Sequence, residues 1–331
     1  METAYSMNGG AEAAMTNQRK IGRRGFLKTT AAVSAGAGLA KSFEEKHLLA
    51  HAEENAGGNE NQARELPKGT LGDLEISRLI VGGNLLSGFA HSRDLTYVSP
   101  LVSNYHTDEK VCETFQICEQ HGVNTAQIRV DEHTMRVISK YYEEWGGTIQ
   151  WLAQLREIPR DIDWALENGA SALYYQGGQA DSAVENDRLE EIHDAVDRMK
   201  MHGVPAGVGA HRLETIKACE ETGLDADFYM KTIHPHTYWS AEPEEPRDFF
   251  SVFDQEPEEL IEFMKTVTKP WIGFKVLAAG ALSPNEGFEY AFQNGADFIC
   301  VGMFDFQVAG NAEAADNILA NGLDRERPWQ A

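Results

Sequence analysis

Eight short apolar runs, each followed by an amphipathic or polar stretch, restrict the chain more than any other feature. They read "SRLIVGG" (77–83), "VNTAQIR" (123–129), "TIQWLAQL" (148–155), "SALYYQG" (171–177), "PAGVGAH" (205–211), "DFYMKTIH" (227–234), "WIGFKVLA" (271–278) and "DFICVGM" (297–303). Runs of this length without strict polar alternation suit strands covered on both faces. The stretches between them have helical spacing. "DEKVCETFQICEQHG", "DRLEEIHDAVDRMKMHG" and "LETIKACEETG" end at Gly122, Gly203 and Gly223, where a left-handed residue stops a helix at least cost. Strictly alternating strands and helices predict an α/β fold, a closed (β/α)8 TIM barrel. An open doubly wound sheet is the alternative. No G-x-G-x-x-G opens a helix after the first strand, and "GGNLLSG" is too weak a substitute.

In such a barrel the chemistry gathers at the carboxyl ends of the strands. Those ends carry Asn84, Gln127, Gln154, Gln176, His211, His234 and Lys275. Amides both donate and accept, which suits the hydroxyls of a neutral, sugar-like ligand. Asn84, Gln127, Gln154 and Gln176 are therefore expected to bind substrate, with Trp239 from a loop at 237–257 stacking on a ring. His211, His234 and Lys275 are the expected catalytic groups. A histidine can serve as a base near neutral pH, and a lysine in an apolar mouth can act as a base or form a Schiff base. His211, His234 and His236, the last two in "TIHPH", could alternatively hold one divalent metal ion with a position open to substrate. Metal binding, metal-free chemistry and a structural role all stay open for these histidines. A second long loop, 84–106, ends before the N-capping Thr107 and could cover the mouth with 237–257.

The N-terminal region has a different character. Arg23-Arg24-Gly25-Phe26-Leu27-Lys28 precedes the weakly apolar "TTAAVSAGAGLA", the pattern of a twin-arginine (Tat) export leader. Cleavage is expected after Ala40 or Ala52, with residues 1–52 as leader, 53–66 as a polar linker and 67–331 as one barrel domain. Export would make the protein periplasmic or otherwise extracytoplasmic, with the Tat machinery as a partner. The whole chain carries −23; its first forty residues hold five basic and two acidic side chains, leaving −26 for the rest. Such acidity argues against nucleic acid and anionic lipid as partners. No run is apolar and long enough for a transmembrane segment in the mature chain. Cys112, Cys118, Cys219 and Cys300 lack C-x-x-C spacing and read as core residues rather than as a disulfide framework.

Over most of residues 69–320 the chain resembles the aldo/keto reductase superfamily. "LGDLEISRLIVGGN" looks like that family's opening strand and "HGVNTAQI" like its second. "GVGAHRLETIKACEETGLDADF", "KPWIGFKVLAAGAL" and "GADFICVGMFDFQVAGNAEAA" look like later segments. The resemblance implies a TIM barrel. It also implies a catalytic Asp, Tyr, Lys and His, but this alignment puts Gln127, Glu132, Gln154 and Gln176 in those places. A glutamine transfers no proton near neutral pH. Gly209-Ala210 replaces the nicotinamide-holding Ser-Asn, and Phe304 and Phe306 replace the phosphate-binding Ser and Arg. Only Gln307 and Asn311 keep the adenine-side spacing. The expectation is an exported enzyme acting on a small polar, sugar-like substrate by lyase, isomerase or hydrolase chemistry. An NAD(P)-dependent oxidoreductase is the alternative and a non-catalytic sugar-binding barrel the third possibility.

Overall fold

The computed structural model describes residues 65–91, 95–238, 241 and 252–331. The expected leader, most of the linker and Trp239 lie outside the described residues. All eight expected strands are present. The barrel runs β3 (Leu79–Gly82), β4 (Thr125–Arg129), β5 (Gln150–Leu155), β6 (Ala172–Tyr175), β7 (Ala206–Ala210), β8 (Phe228–Thr232), β9 (Trp271–Phe274) and β10 (Phe298–Val301). Each pairs in parallel with its neighbours, and β10 closes onto β3. The chain is a (β/α)8 TIM barrel. Its helices are α1 (Gly83–Leu86), α2 (Val98–Tyr105), α3 (Asp108–Gln120), α4 (Glu132–Trp145), α5 (Arg160–Glu167), α6 (Gly177–Glu185), α7 (Glu190–Lys200), α8 (Leu213–Glu221), α9 (Pro257–Met264), α10 (Pro284–Gln293) and α11 (Asp305–Ala320). No described helix is long and apolar enough to cross a membrane.

Two strands precede the barrel. β1 (Lys68–Leu71) and β2 (Leu74–Ser77) pair antiparallel around Gly72, whose φ is +60°. "LGDLEISRLIVGGN" is thus a hairpin followed by the first barrel strand, not a single opening strand. Leu71 and Ile76 pack with Ile80, Leu152, Phe228 and Phe298 in the barrel interior, so the hairpin plugs its amino-terminal end. The larger core lies between sheet and helices, with Val81, Ile128, Trp151, Val208, Tyr229 and Ile299 contributed by the strands. Alternation along each strand separates the two sets. Phe228 fills the axis because β7 is bare there: a Cβ on Gly207 would come within 2.5 Å of the Phe228 ring. Truncating Phe228 in so closed a space costs about 3–5 kcal/mol.

The C-terminal tail locks the same end. Arg327 is 2% exposed and donates to the carbonyls of Met264, Val267, Lys269 and Gly295 and to Asp297 Oδ2 at 2.7 Å. Asp297 also accepts from the backbone N–H of Trp271 and Gln330. Arg78 donates to the Asp297 and Ala331 carbonyls, with Trp329 over its guanidinium at 4.0 Å. The four cysteines are buried and free. Burial pushes the Cys112 thiol to about 11 and those of Cys219 and Cys300 to about 12.

Candidate active site at the barrel mouth

β7 stops at Ala210, and His211 is the next residue. Its neighbour α6 comes unusually close, because Gly209 and Gly177 face each other: a Cβ on Gly209 would lie 2.8 Å from the Gly177 nitrogen. That approach brings Asp181, one turn into α6, against the end of β7. Asp181 Oδ2 accepts from the His211 backbone N–H and from Nδ1–H, both at 2.9 Å. Its other oxygen accepts from Thr215 Oγ1 at 2.7 Å. Burial opposes ionisation of Asp181, but the hydrogen bonds from His211 and Thr215 outweigh it and hold the pKa below the usual carboxylate value. The carboxylate therefore fixes the Nδ1–H tautomer and leaves Nε2 as the basic nitrogen. The His211 side chain is 33% exposed, so it is oriented from below and open to the mouth.

Lys275 and His91 complete this group. β9 ends at Phe274 because Lys275 turns to φ +58°, followed by Ala278 at +47° and Ala279 at +56°. Left-handed backbone costs a non-glycine residue roughly 1–2 kcal/mol, and three such residues in one loop mark stored strain of the kind found at functional sites. The turn places Lys275 Nζ 3.8 Å from the centre of the Phe253 ring. The His91 ring lies 5.0 Å from the same Phe253, tilted to it, and the His211 ring lies 5.4 Å from Phe274. Partial removal from water, then the nearby Lys275 and His211, lower the His91 pKa. His91 thus belongs electrostatically with the two expected catalytic groups.

His234 does something else. It lies two residues beyond the end of β8, fully buried. Nδ1–H donates to the Pro235 carbonyl at 3.1 Å, while Nε2 accepts from the N–H groups of Phe253 and Asp254 at 2.9 and 3.1 Å. With both ring nitrogens committed to backbone, His234 has none left for a substrate or a metal. Burial drives its pKa to about 4, against the pull of the Pro235 hydrogen bond. His236 Nε2–H donates to the Asp254 carbonyl at 2.5 Å. Among the described residues no group of three or more His, Cys, Asp or Glu side chains is arranged to hold a metal ion. The triad expected from His211, His234 and His236 is therefore not assembled, because two of its members bind the 253–254 backbone and the third binds Asp181. A buried ion pair reinforces the strap. Lys231 Nζ meets Asp254 Oδ1 at 3.3 Å and Thr232 Oγ1 at 2.7 Å, and Thr232 Oγ1 reaches the His211 carbonyl at 3.0 Å. The strap holds Phe253 against Lys275 and His91.

The amides are placed as follows. Gln127 is buried in the middle of β4, two residues short of the strand end where it was expected. Gln154 Nε2 donates to the Tyr174 hydroxyl at 2.8 Å, and Gln176 Oε1 caps α6 by accepting from the Gln179 N–H at 3.1 Å. Asn84 is exposed in α1. Tyr238, Ala278 and Leu282 form a small satellite core, so this part of the 237–257 loop uses an aromatic for its own packing. Asp181, His91 and Phe253 were not anticipated from sequence. The available signal for Asp181 was an acid between Ala180 and Ala183, positions that a helix spacing buries.

No family model matches the chain, and no curated protein matches it by sequence. Similarity appears in structure. Two solved structures of proposed aldo-keto reductases from Pseudomonas aeruginosa align with TM-scores of 0.57 and 0.54, at 15% and 17% identity. Each alignment covers 79% of this chain and all of the other. At that identity the likeness bears on the barrel fold alone and on no chemistry.

Proposed function

We propose that this chain is an enzyme that moves a proton next to the carbonyl of a small, sugar-like substrate, by isomerase or lyase chemistry. The Asp181–His211 pair carries the proposal: an imidazole oriented through Nδ1 would offer Nε2 to the mouth. His211 Nε2 removes a proton from the carbon beside the carbonyl, and the bonding pair passes to the carbonyl oxygen as an enolate. Asp181 steadies the imidazolium that forms, and the Lys275 ammonium offsets the charge on oxygen. Returning the proton to the former carbonyl carbon, while the proton of the neighbouring hydroxyl passes to the old carbonyl oxygen and a new carbonyl forms, isomerises the substrate; departure of a β-hydroxyl as water, protonated by the His211 imidazolium as the enolate pair closes the new double bond, makes the reaction a lyase. Gln127, Gln154, Gln176, Asn84 and Trp239 would meet substrate hydroxyls and the ring face. The leader pattern at 1–52 supports export by the Tat route, which fractionation of an Arg23→Lys/Arg24→Lys variant tests by its retention in the cytoplasm.

Proton NMR in D2O with a panel of ketoses, aldoses and their acids tests the chemistry. Deuterium entering the carbon beside the carbonyl, and failing to enter with His211→Gln, is the expected result. Exchange that proceeds unchanged in His211→Gln would overturn the proposal.

A further inference from the structure

We infer that Arg129 holds a carboxylate of the substrate, which narrows the ligand from a neutral sugar to a polyhydroxy acid; the inference rests on the mouth being the substrate site. Ala126, Ile128 and Val130 pack in the outer core, so alternation turns Gln127 and Arg129 toward the barrel axis. Arg129 is the last residue of β4 and pairs in register with Gln154. Its guanidinium is only partly compensated. Nε lies 3.4 Å from Asp131 Oδ2, yet it is buried without a hydrogen-bond partner. Asp131 is engaged elsewhere, its Oδ1 accepting from the Thr134 N–H in the capping box of α4. A buried, unmet donor on a charged group at a site of this kind points to a ligand that completes it.

The position fits the proposed chemistry. Phe89 covers the Arg129 guanidinium at 4.8 Å, and His91, two residues later, touches Phe253 in the Lys275 group. Two residues of extended chain span about 7 Å, so one short segment touches both the cation and the reacting group. Arg129, at the end of β4, and His211, just past β7, both stand at the carboxyl ends of barrel strands. The charge available favours carboxylate over phosphate. A single guanidinium already shared with Asp131 matches one planar monoanion through its paired N–H groups, whereas a dianionic phosphate calls for several converging donors.

Calorimetry with the full-length protein tests this, using glucuronate, galacturonate and gluconate as probes, each beside its uncharged counterpart glucose, galactose or sorbitol. At least one acid should bind about tenfold or more tightly than its counterpart, and Arg129→Gln should abolish that preference, a change of about 10–100-fold. Arg129→Lys, which keeps the charge but loses the fork, should recover only part of it. The inference is overturned if no acid outbinds its counterpart, or if Arg129→Gln leaves the preference intact. His211-dependent deuterium exchange that continues on a neutral sugar with no acid preference would sink the carboxylate and leave the proton-transfer proposal standing.

Discussion

The two ends of the barrel treat buried polar groups in opposite ways. At the amino-terminal end Asp297, Arg327 and Arg78 are buried, and their donors and acceptors meet carbonyls, N–H groups or one another. At the other end lie Ser87 Oγ, His106 Nε2, Arg129 Nε and Asp254 Oδ2, the buried side-chain atoms without a partner among the described residues. Ser87, His106 and Asp254 lie in the connections after β3 and β8, and Arg129 is the last residue of β4. An unmet buried polar atom costs about 1–3 kcal/mol, so the fold spends none of this at the plugged end and concentrates it at the open one. Left-handed backbone is concentrated there too, with Lys275, Ala278 and Ala279 on one loop of the mouth and Asp187, between α6 and α7, the other such non-glycine among the described residues. The lesson is that satisfaction and strain, more than residue type, separate the end that stabilises from the end that binds.

The largest effect is expected at the plugged end. Asp297→Ala should cost about 3–5 kcal/mol, because it strands the buried Arg327 charge; urea denaturation would show it as a lowered midpoint. A loss below about 1 kcal/mol would mean the clasp is not what closes the barrel. At the mouth the effect should fall on rate instead. His211→Gln should lower proton exchange by about 10²–10⁴-fold with little change in the urea midpoint. Asp181→Asn should lower it by about 10–100-fold, as expected for an orienting carboxylate.

The strap gives a smaller, pH-dependent effect. His234 is lowered to about 4 in the folded protein from 6.5 in the unfolded chain. Between those values the unfolded chain binds the extra proton, so stability is fully present above pH 6.5 and is lost as pH falls toward 4, by about 3 kcal/mol. His106, also lowered by burial, adds in the same direction. Asp254 is raised by burial and offsets part of the loss. His234→Gln keeps an acceptor for the Phe253 and Asp254 N–H groups but does not titrate, so its stability measured at pH 7 and pH 5 should differ less than wild type's. An equal slope in both would remove His234 as the cause. The smallest expected effect is on the outer helices, where Lys217→Ala removes an exposed pair between α8 and α9 with Glu259 and should change stability by less than about 1 kcal/mol.

The strands were legible because apolar runs on a buried barrel leave little choice of structure, and all eight appear within the expected limits. Their ends were not, since a single dihedral decides them. Lys275 leaves β9 at φ +58°, and "TIHPH" leaves β8 after Thr232, which turned His234 from an expected ligand into a backbone strap. His211 was found from its strand end alone. Asp181 was missed because its contact spans thirty residues of sequence and depends on two glycines letting α6 approach β7. Arg129 follows the same alternation as Gln127, but its unmet Nε depends on how Asp131 turns into the cap of α4, which sequence does not display.

The burial of all four cysteines has a practical consequence. Thiols with pKa values pushed to about 11–12 carry almost no thiolate at neutral pH, and the thiolate is the form that alkylates. The native protein is thus silent toward maleimides without any cysteine having been removed. One cysteine introduced on the rim, at Phe89 or Thr237, would be the sole fast-reacting position, so a spin label or fluorophore could be attached beside the mouth of the otherwise unaltered molecule.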